Sequence, residues 1–234
     1  MKKDEREMKW ILTALLIAST QPVHAGIVIY GTRIIYPAEK NEVLVQLMNQ
    51  GGRSSLVQSW IDDGDTSLPP EKIKVPFLLT PPVAKVAGDS GQQIKIKKMP
   101  NMLPNNKESL FYLNVLDIPP NNPDNTGKNV LKFAMQNRIK LFYRPKGIAA
   151  VNKNTFHKLS LTRNGTGYSI RNDAANWITV TDVKADNIKI NNKSIMLAPL
   201  SSADVALKNT NANQYKMTII DDHGNYISAN VSLK

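Results

Sequence analysis

Residues 103–120 read LPNNKESLFYLNVLDIPP and predict one β-strand with both of its ends marked in the sequence. From Ser109 to Val115 the side chains alternate with the period of two that a strand requires. Pro119 and Pro120 end this strand, because proline has no N–H to donate to a β-ladder. Glu108 lies at its beginning, where an acidic side chain is most often exposed to solvent.

The same period of two recurs on both sides of this stretch, whereas helical periodicity is scarce. The alternating runs are rich in β-branched residues, and Pro, Gly, Asn and Asp separate them. They lie at 43–48, 94–97, 178–180, 188–190 and 217–220. Short strands joined by such turns predict an all-β protein built of sandwiches.

A domain boundary is predicted at YRPKG, residues 143–147, where a long strand ends in Pro and Gly. The alternating pattern resumes some ten residues later. About 100 residues is a common size for a β-sandwich domain. We therefore predict one sandwich at 26–147 and a second, smaller one at 148–234.

Residues 1–25 have the features of a secretory signal peptide. A start with four basic residues is followed by the apolar run WILTALLIA at 10–18 and by VHA at 23–25, which suits cleavage. The apolar run is too short to span a bilayer, and no later run approaches the roughly 20 apolar residues of a membrane helix. We therefore predict cleavage after Ala25 and a soluble mature chain that begins at Gly26.

The composition argues against several classes of site. The chain has no cysteine, which rules out disulfides, cysteine-based zinc sites and a thiol nucleophile. Of its three histidines, His24 leaves with the signal, and neither His157 nor His223 stands in a nucleophile or metal-ligand motif. We predict no enzymatic activity, no catalytic residue, no metal and no cofactor. The net charge of +11 favours acidic partners but identifies none.

The stretch VLKFAMQNRIKLFY at 130–143 predicts a long strand with one apolar face. Leu131, Phe133 and Met135 begin that face, and Arg138 and Lys140 lie on the other. The ordinary explanation of such alternation is that the apolar face packs on the core, because an exposed apolar row invites aggregation.

Residues 103–120 also resemble the signature segment of PapD-like periplasmic chaperones, with its L-P opening, acidic residue before Ser, aromatic residue, Asn and closing I-P-P. Four other segments agree with that family in order, so the resemblance covers essentially the whole mature chain. They are GTRIIYPAEK at 31–40, VQSWID at 57–62, RIKLFYRP at 138–145 and IIDDHGN at 219–225.

The resemblance implies two immunoglobulin-like β-sandwich domains in tandem, joined by a short hinge at an angle. It also implies a periplasmic chaperone that binds, folds and caps fimbrial (pilus) subunits. In that family Leu131, Phe133 and Met135 would face outward as a donor strand that completes the sandwich of a subunit. Arg33 and Lys140 would together anchor the C-terminal carboxylate of the subunit.

The resemblance further implies an ion network between the two domains, formed by Glu108, Arg144 and Asp222. Arg144 lies in the YRP motif at the predicted boundary, and Asp222 lies in the D-x-G turn of the second domain. Such a network would set the angle between the domains.

The implied partners are fimbrial subunits and an outer-membrane usher, and the free protein could also dimerise with itself. No nucleic-acid partner and no membrane-embedded segment are expected. The polar connection NNPDNTGKN at 121–129 is short, which suggests the short-loop branch of the family. The alternative that the residues alone leave open is a secreted immunoglobulin-like adhesin or ligand-binding module with a basic surface. An adhesin of that kind would not need the segment at 103–120.

Overall fold

The structure is a computed structural model that describes residues 26–120, 131, 133–164, 167–208, 212 and 214–233. The predicted signal peptide and the connection 121–129 lie outside the described residues. The described chain forms two β-sandwiches in tandem, each with its own hydrophobic core. This arrangement confirms the all-β, two-sandwich fold predicted from the sequence.

Nine strands form the first sandwich. They are β1 (Ile27–Ile29), β2 (Arg33–Pro37), β3 (Glu42–Asn49), β4 (Ser55–Asp62), β5 (Phe77–Thr80), β6 (Val83–Val86), β7 (Gly91–Lys98), β8 (Ser109–Ile118) and β9 (Met135–Arg144). A short 3₁₀ helix, Pro70–Lys72, lies between β4 and β5. The two sheets have the strand orders β1-β3-β7-β5 and β2-β9-β8-β4-β6.

Eight strands form the second sandwich, which begins with a 3₁₀ helix at Lys153–Lys158. They are β10 (Leu159–Asn164), β11 (Gly167–Asn172), β12 (Ile178–Ala185), β13 (Ile188–Lys189), β14 (Ile195–Leu197), β15 (Ser201–Val205), β16 (Tyr215–Ile220) and β17 (Tyr226–Val231). One sheet has the order β10-β11-β15. The other has the order β13-β12-β16-β17, and β14 also pairs with β12.

The start of the chain changes sheets between β1 and β2. β1 pairs antiparallel with β3, whereas β2 pairs parallel with β9 in the opposite sheet. The turn between them contains Gly31, whose φ of 111° suits glycine and strains other residues. Because of this crossing, β2 pairs only with Lys140–Arg144 of β9. The earlier residues of β9 have no described strand on that side.

The strand predicted at 130–143 is shorter at its beginning than the sequence indicated. β9 begins at Met135, so Leu131 and Phe133 lie ahead of the ladder. The reason is the lack of a partner, since Met135 pairs with Asp117 and β8 ends one residue later, at Ile118. The end of β8 confirms the stop predicted at Pro119.

Candidate functional site

The apolar face of residues 131–143 divides into an exposed part and a buried part. Leu141 and Tyr143 are buried in the first core, as an amphipathic strand requires. Leu131, Phe133 and Met135 are instead 76%, 72% and 62% exposed. Their exposure, predicted from the resemblance, agrees with the structure. Three consecutive large apolar side chains on the surface indicate a binding site, because soluble proteins seldom leave such a row uncovered.

Backbone groups beside this row are also free to pair. β9 pairs with β8 from Met135 to Tyr143, but β2 pairs only with Lys140–Arg144. Over Met135–Ile139, no described strand occupies the second edge of β9. A groove at this edge is lined by β1 and by Met135, Asn137 and Ile139. An added strand can therefore form a ladder here while its side chains contact the apolar row.

Arg33 and Lys140 lie side by side at the inner end of this free edge. They are register partners on the parallel strands β2 and β9, whose backbones are about 4.8 Å apart. Both side chains reach the second sandwich. Nη1 of Arg33 donates to the carbonyl oxygen of Ile220 at 3.4 Å, and Nζ of Lys140 donates to Oγ1 of Thr179 at 3.2 Å. The convergence predicted for these two cations is thus present, in the cleft between the domains.

The electrostatics of the pair favour a bound anion. Burial lowers the pKa of Lys140, and the neighbouring charge of Arg33 lowers it further. Burial also lowers the pKa of Arg33, although the negative charges of Asp222, Asp221 and Glu108 act to raise it. Nε of Arg33 is buried and has no hydrogen-bond partner among the described residues. A carboxylate would supply that partner and neutralise the repulsion.

Glu108, Arg144 and Asp222 form the ion network that the resemblance implied. Nε of Arg144 donates to Oε1 of Glu108 at 2.5 Å, and its two Nη atoms donate to the carboxylate of Asp222 at 2.5 and 2.7 Å. The backbone N–H of Trp177 and the amide of Asn176 also donate to Glu108. Glu108 is 3% exposed and is therefore not the solvated acid that its residue type favours. The network joins β8 and β9 to the second sandwich.

The family is decided by two sequence matches that together cover most of residues 26–231. Residues 26–149 match the pili and flagellar-assembly chaperone PapD N-terminal domain, and residues 154–231 match the pili assembly chaperone PapD C-terminal domain. The chain belongs to the PapD family of pilus-assembly chaperones. Its function is therefore that of a fimbrial chaperone, and we do not retain the alternative of a secreted adhesin.

Individual relatives agree with this assignment. The chaperone is 69% identical to the probable fimbrial chaperone YehC of Escherichia coli K12, over 95% of this chain and 93% of the relative. It is 37% identical to the chaperone protein MrkB of Klebsiella pneumoniae, over 90% and 93% of the two chains. Its fold matches the crystal structure of the Pseudomonas aeruginosa CupB2 chaperone with a TM-score of 0.76 at 29% identity, over 88% and 100% of the two chains.

Sequence reasoning missed a polar network on the same face as Lys140. Arg138 donates from Nε and Nη2 to both carboxylate oxygens of Asp62, at 3.2 and 2.5 Å, and lies 3.6 Å from the ring centroid of Tyr112. Asn114 donates to Asp62 as well and accepts from Gln136. Burial would raise the pKa of Asp62, but the hydrogen bonds from Arg138 and Asn114 outweigh it and lower the pKa. The network ties β9 to β8 and β4 of the chaperone.

Replacing Arg144 with alanine is expected to destabilise the chaperone by about 3–5 kcal/mol, because the buried carboxylate of Glu108 then loses its cation. The bond to Asp222 across the two sandwiches is lost as well. The variant should unfold at a lower temperature in thermal melts. Its small-angle scattering should also show a broader distribution of domain orientations.

The matched control is Glu42→Ala, which removes an exposed ion pair with Lys95. Exposed pairs contribute little, so this variant should melt within about 1 kcal/mol of the wild type. An Arg144→Ala variant with unchanged melting and unchanged scattering would show that the network does not hold the domains.

Proposed function

We propose that this chaperone binds pilus subunits by donor-strand complementation, in which it lends a strand to an incomplete subunit. The observation that carries the proposal is the row Leu131, Phe133 and Met135, exposed beside a free edge of β9. Donor-strand complementation between chaperones and pilins is an established form of β-strand addition, so the mode itself is not new.

The size of the apolar row is sufficient for capture. Burying one large apolar side chain contributes about 1.5–3 kcal/mol, so three contribute roughly 5–9 kcal/mol before the costs of association. Ladder bonds along Met135–Ile139 set the direction and register of the subunit strand. A binding free energy of this size allows a stable complex that can still dissociate when the subunit is delivered.

Arg33 and Lys140 complete the proposed site by holding the C-terminal carboxylate of the subunit. The unpartnered Nε of Arg33 and the lowered pKa of Lys140 support this role. Arginine can bind a carboxylate through two parallel hydrogen bonds, and lysine adds a compact charge. Because the anchor lies at the inner end of the free edge, it fixes which subunit residues contact Leu131, Phe133 and Met135.

The proposed function takes place after export of the protein from the cytoplasm. The signal peptide is removed after Ala25 and the chaperone works in the periplasm, where the first domain (26–147) carries the donor strand and the second (148–234) closes the cleft. It delivers subunits to an outer-membrane usher, and free molecules can cover their exposed rows by dimerising. The function needs no catalytic step and no cofactor. Among the described residues, no helix is long and apolar enough to cross a membrane.

The test is co-expression of the exported chaperone with a pilus subunit that carries an affinity tag. The subunit should survive in the periplasm and co-purify with the chaperone in a one-to-one complex. Without the chaperone the subunit should be degraded, because its incomplete core is exposed. Equal survival of the subunit with and without the chaperone would refute the proposed function.

A further inference from the structure

Asp117, near the end of β8, is a buried carboxylate. It is 8% exposed. Oδ1 accepts from the hydroxyl of Ser55, and Oδ2 accepts from the backbone N–H of Ile27 at 3.0 Å. In the part of the chain that the structure describes, no Lys or Arg pairs with it. The nearby Arg138 is engaged by Asp62. A buried carboxylate without an opposite charge is costly, so a missing partner is indicated.

The backbone of Gly26 lies directly against Asp117. A Cβ built on Gly26 would come closer than 3.0 Å to Oδ2, nearer than real Cβ atoms come. The nitrogen of Gly26 is about 2.5 Å from that Cβ position, and so within about 5.5 Å of the carboxylate. Opposite charges within about 4–6 Å stabilise each other appreciably. Glycine is thus the residue that lets the nitrogen approach so near.

We propose that the α-ammonium group of Gly26 is the missing partner of Asp117. This inference rests on the proposed cleavage after Ala25. Hydrolysis of the Ala25–Gly26 peptide bond adds the hydroxyl of water to Ala25 and leaves an amine on Gly26. That amine takes up a proton, since an α-amino group has a pKa near 8. Before cleavage, the same nitrogen is an uncharged amide and cannot pair.

The ion pair fixes β1 at the mouth of the subunit-binding groove. Asp117 is the ladder partner of Met135, the last residue of the exposed apolar row. β1 forms the wall of the groove opposite Met135 and Asn137, and Nδ2 of Asn137 donates to the carbonyl oxygen of Ile27 at 3.2 Å. Asp117 is therefore a positioning residue for the subunit site. Removal of the signal peptide completes the groove, so a precursor that still carries its signal has a looser β1.

The test compares four proteins with defined N-termini, released from a cleavable fusion. They are the mature chain from Gly26, the same chain with one added serine before Gly26, the Asp117→Asn variant, and the combination of both changes. Added serine moves the ammonium away, and Asp117→Asn removes the negative charge with little change in shape. Amide hydrogen exchange of Ile27–Ile29 reports the mobility of β1. The rate at which an acylating reagent modifies the N-terminal amine reports its pairing.

Each single change should speed exchange in β1 about tenfold, as loss of one charged interaction with a buried carboxylate implies. The combined change should be no faster than either single change, because both remove the same pair. Asp117→Asn should also make the Gly26 amine react faster. The control, Asp63→Asn at an exposed position, should change neither readout. Additive effects of the two changes on exchange would overturn the proposal. An acylation rate of the Gly26 amine that is the same in the Asp117→Asn variant would overturn it as well.

Mass spectrometry of the chaperone purified from the periplasm provides the remaining check. A mature chain that begins at Gly26 supports the pair, and one that begins at another residue overturns it. Neither exchange nor amine reactivity requires a subunit. Failure of this inference is therefore distinguishable from failure of donor-strand capture, which the co-expression experiment tests separately.

Discussion

Replacing both Arg33 and Lys140 with alanine is expected to abolish subunit capture and to leave the chaperone folded. The two cations lie side by side and partly buried, and burial lowers the pKa of both. Their presence therefore does little for the stability of the free protein, and the melting temperature should change by no more than the equivalent of about 1 kcal/mol. The measurement is co-purification of a tagged subunit, together with thermal melts of the chaperone alone.

Two further variants make this prediction specific. Arg33→Lys should restore capture in part, because lysine keeps the charge but lacks the two-pronged geometry of arginine. Lys74→Ala combined with Lys97→Ala removes the same charge from exposed positions and should leave capture intact. Full capture by a well-folded Arg33→Ala, Lys140→Ala variant would rule out the carboxylate anchor.

Shortening Phe133 to alanine is expected to weaken subunit binding about 10- to 100-fold. The ring is 72% exposed in the free chaperone and would be buried in the subunit, so its loss removes about 1.5–3 kcal/mol of apolar burial from the complex. The stability of the free chaperone should not fall, since the ring is mostly in water there. Affinity measured by titration of purified subunit, with melts of each variant, checks both statements.

Leu78→Ala is the matched control for this change. Leu78 is also large, apolar and exposed, at 52%, but it lies on β5 in the opposite sheet. Its truncation should leave the affinity unchanged. If Phe133→Ala and Leu78→Ala weaken binding equally, the loss reflects general surface hydrophobicity, and the donor row is wrongly assigned.

The sequence predicted the strands well, because alternation is a local property that depends on the core lying on one side. The sequence alone could not show at which residue an alternating apolar face changes from buried to exposed. Leu131 and Leu141 belong to the same predicted face, yet one is exposed and the other is buried. The difference arises from the neighbouring strands, since β8 ends at Ile118 and leaves the earlier residues without a sandwich to cover them. The family resemblance supplied what the pattern lacked.

Long-range polar contacts were predicted where a family motif marked them and missed elsewhere. Arg144 and Asp222 are 78 residues apart and were paired by their motifs alone. Asp62 stands in an Asp-Asp pair that looks like an ordinary turn, and its partner Arg138 is 76 residues away. Nothing local distinguishes a buried acid from a solvated one. Thr179, which meets Lys140 across the cleft, was missed for the same reason.

The most direct test of the account is amide hydrogen exchange in residues 131–139, measured in the free chaperone and in its complex with a subunit. Donor-strand complementation predicts strong protection on binding, because the amides on the free edge of β9 then pair with the subunit strand. Residues Leu113–Asp117 of β8, already paired with both β4 and β9, should change little. A stable complex in which exchange over 131–139 is unchanged would contradict the account.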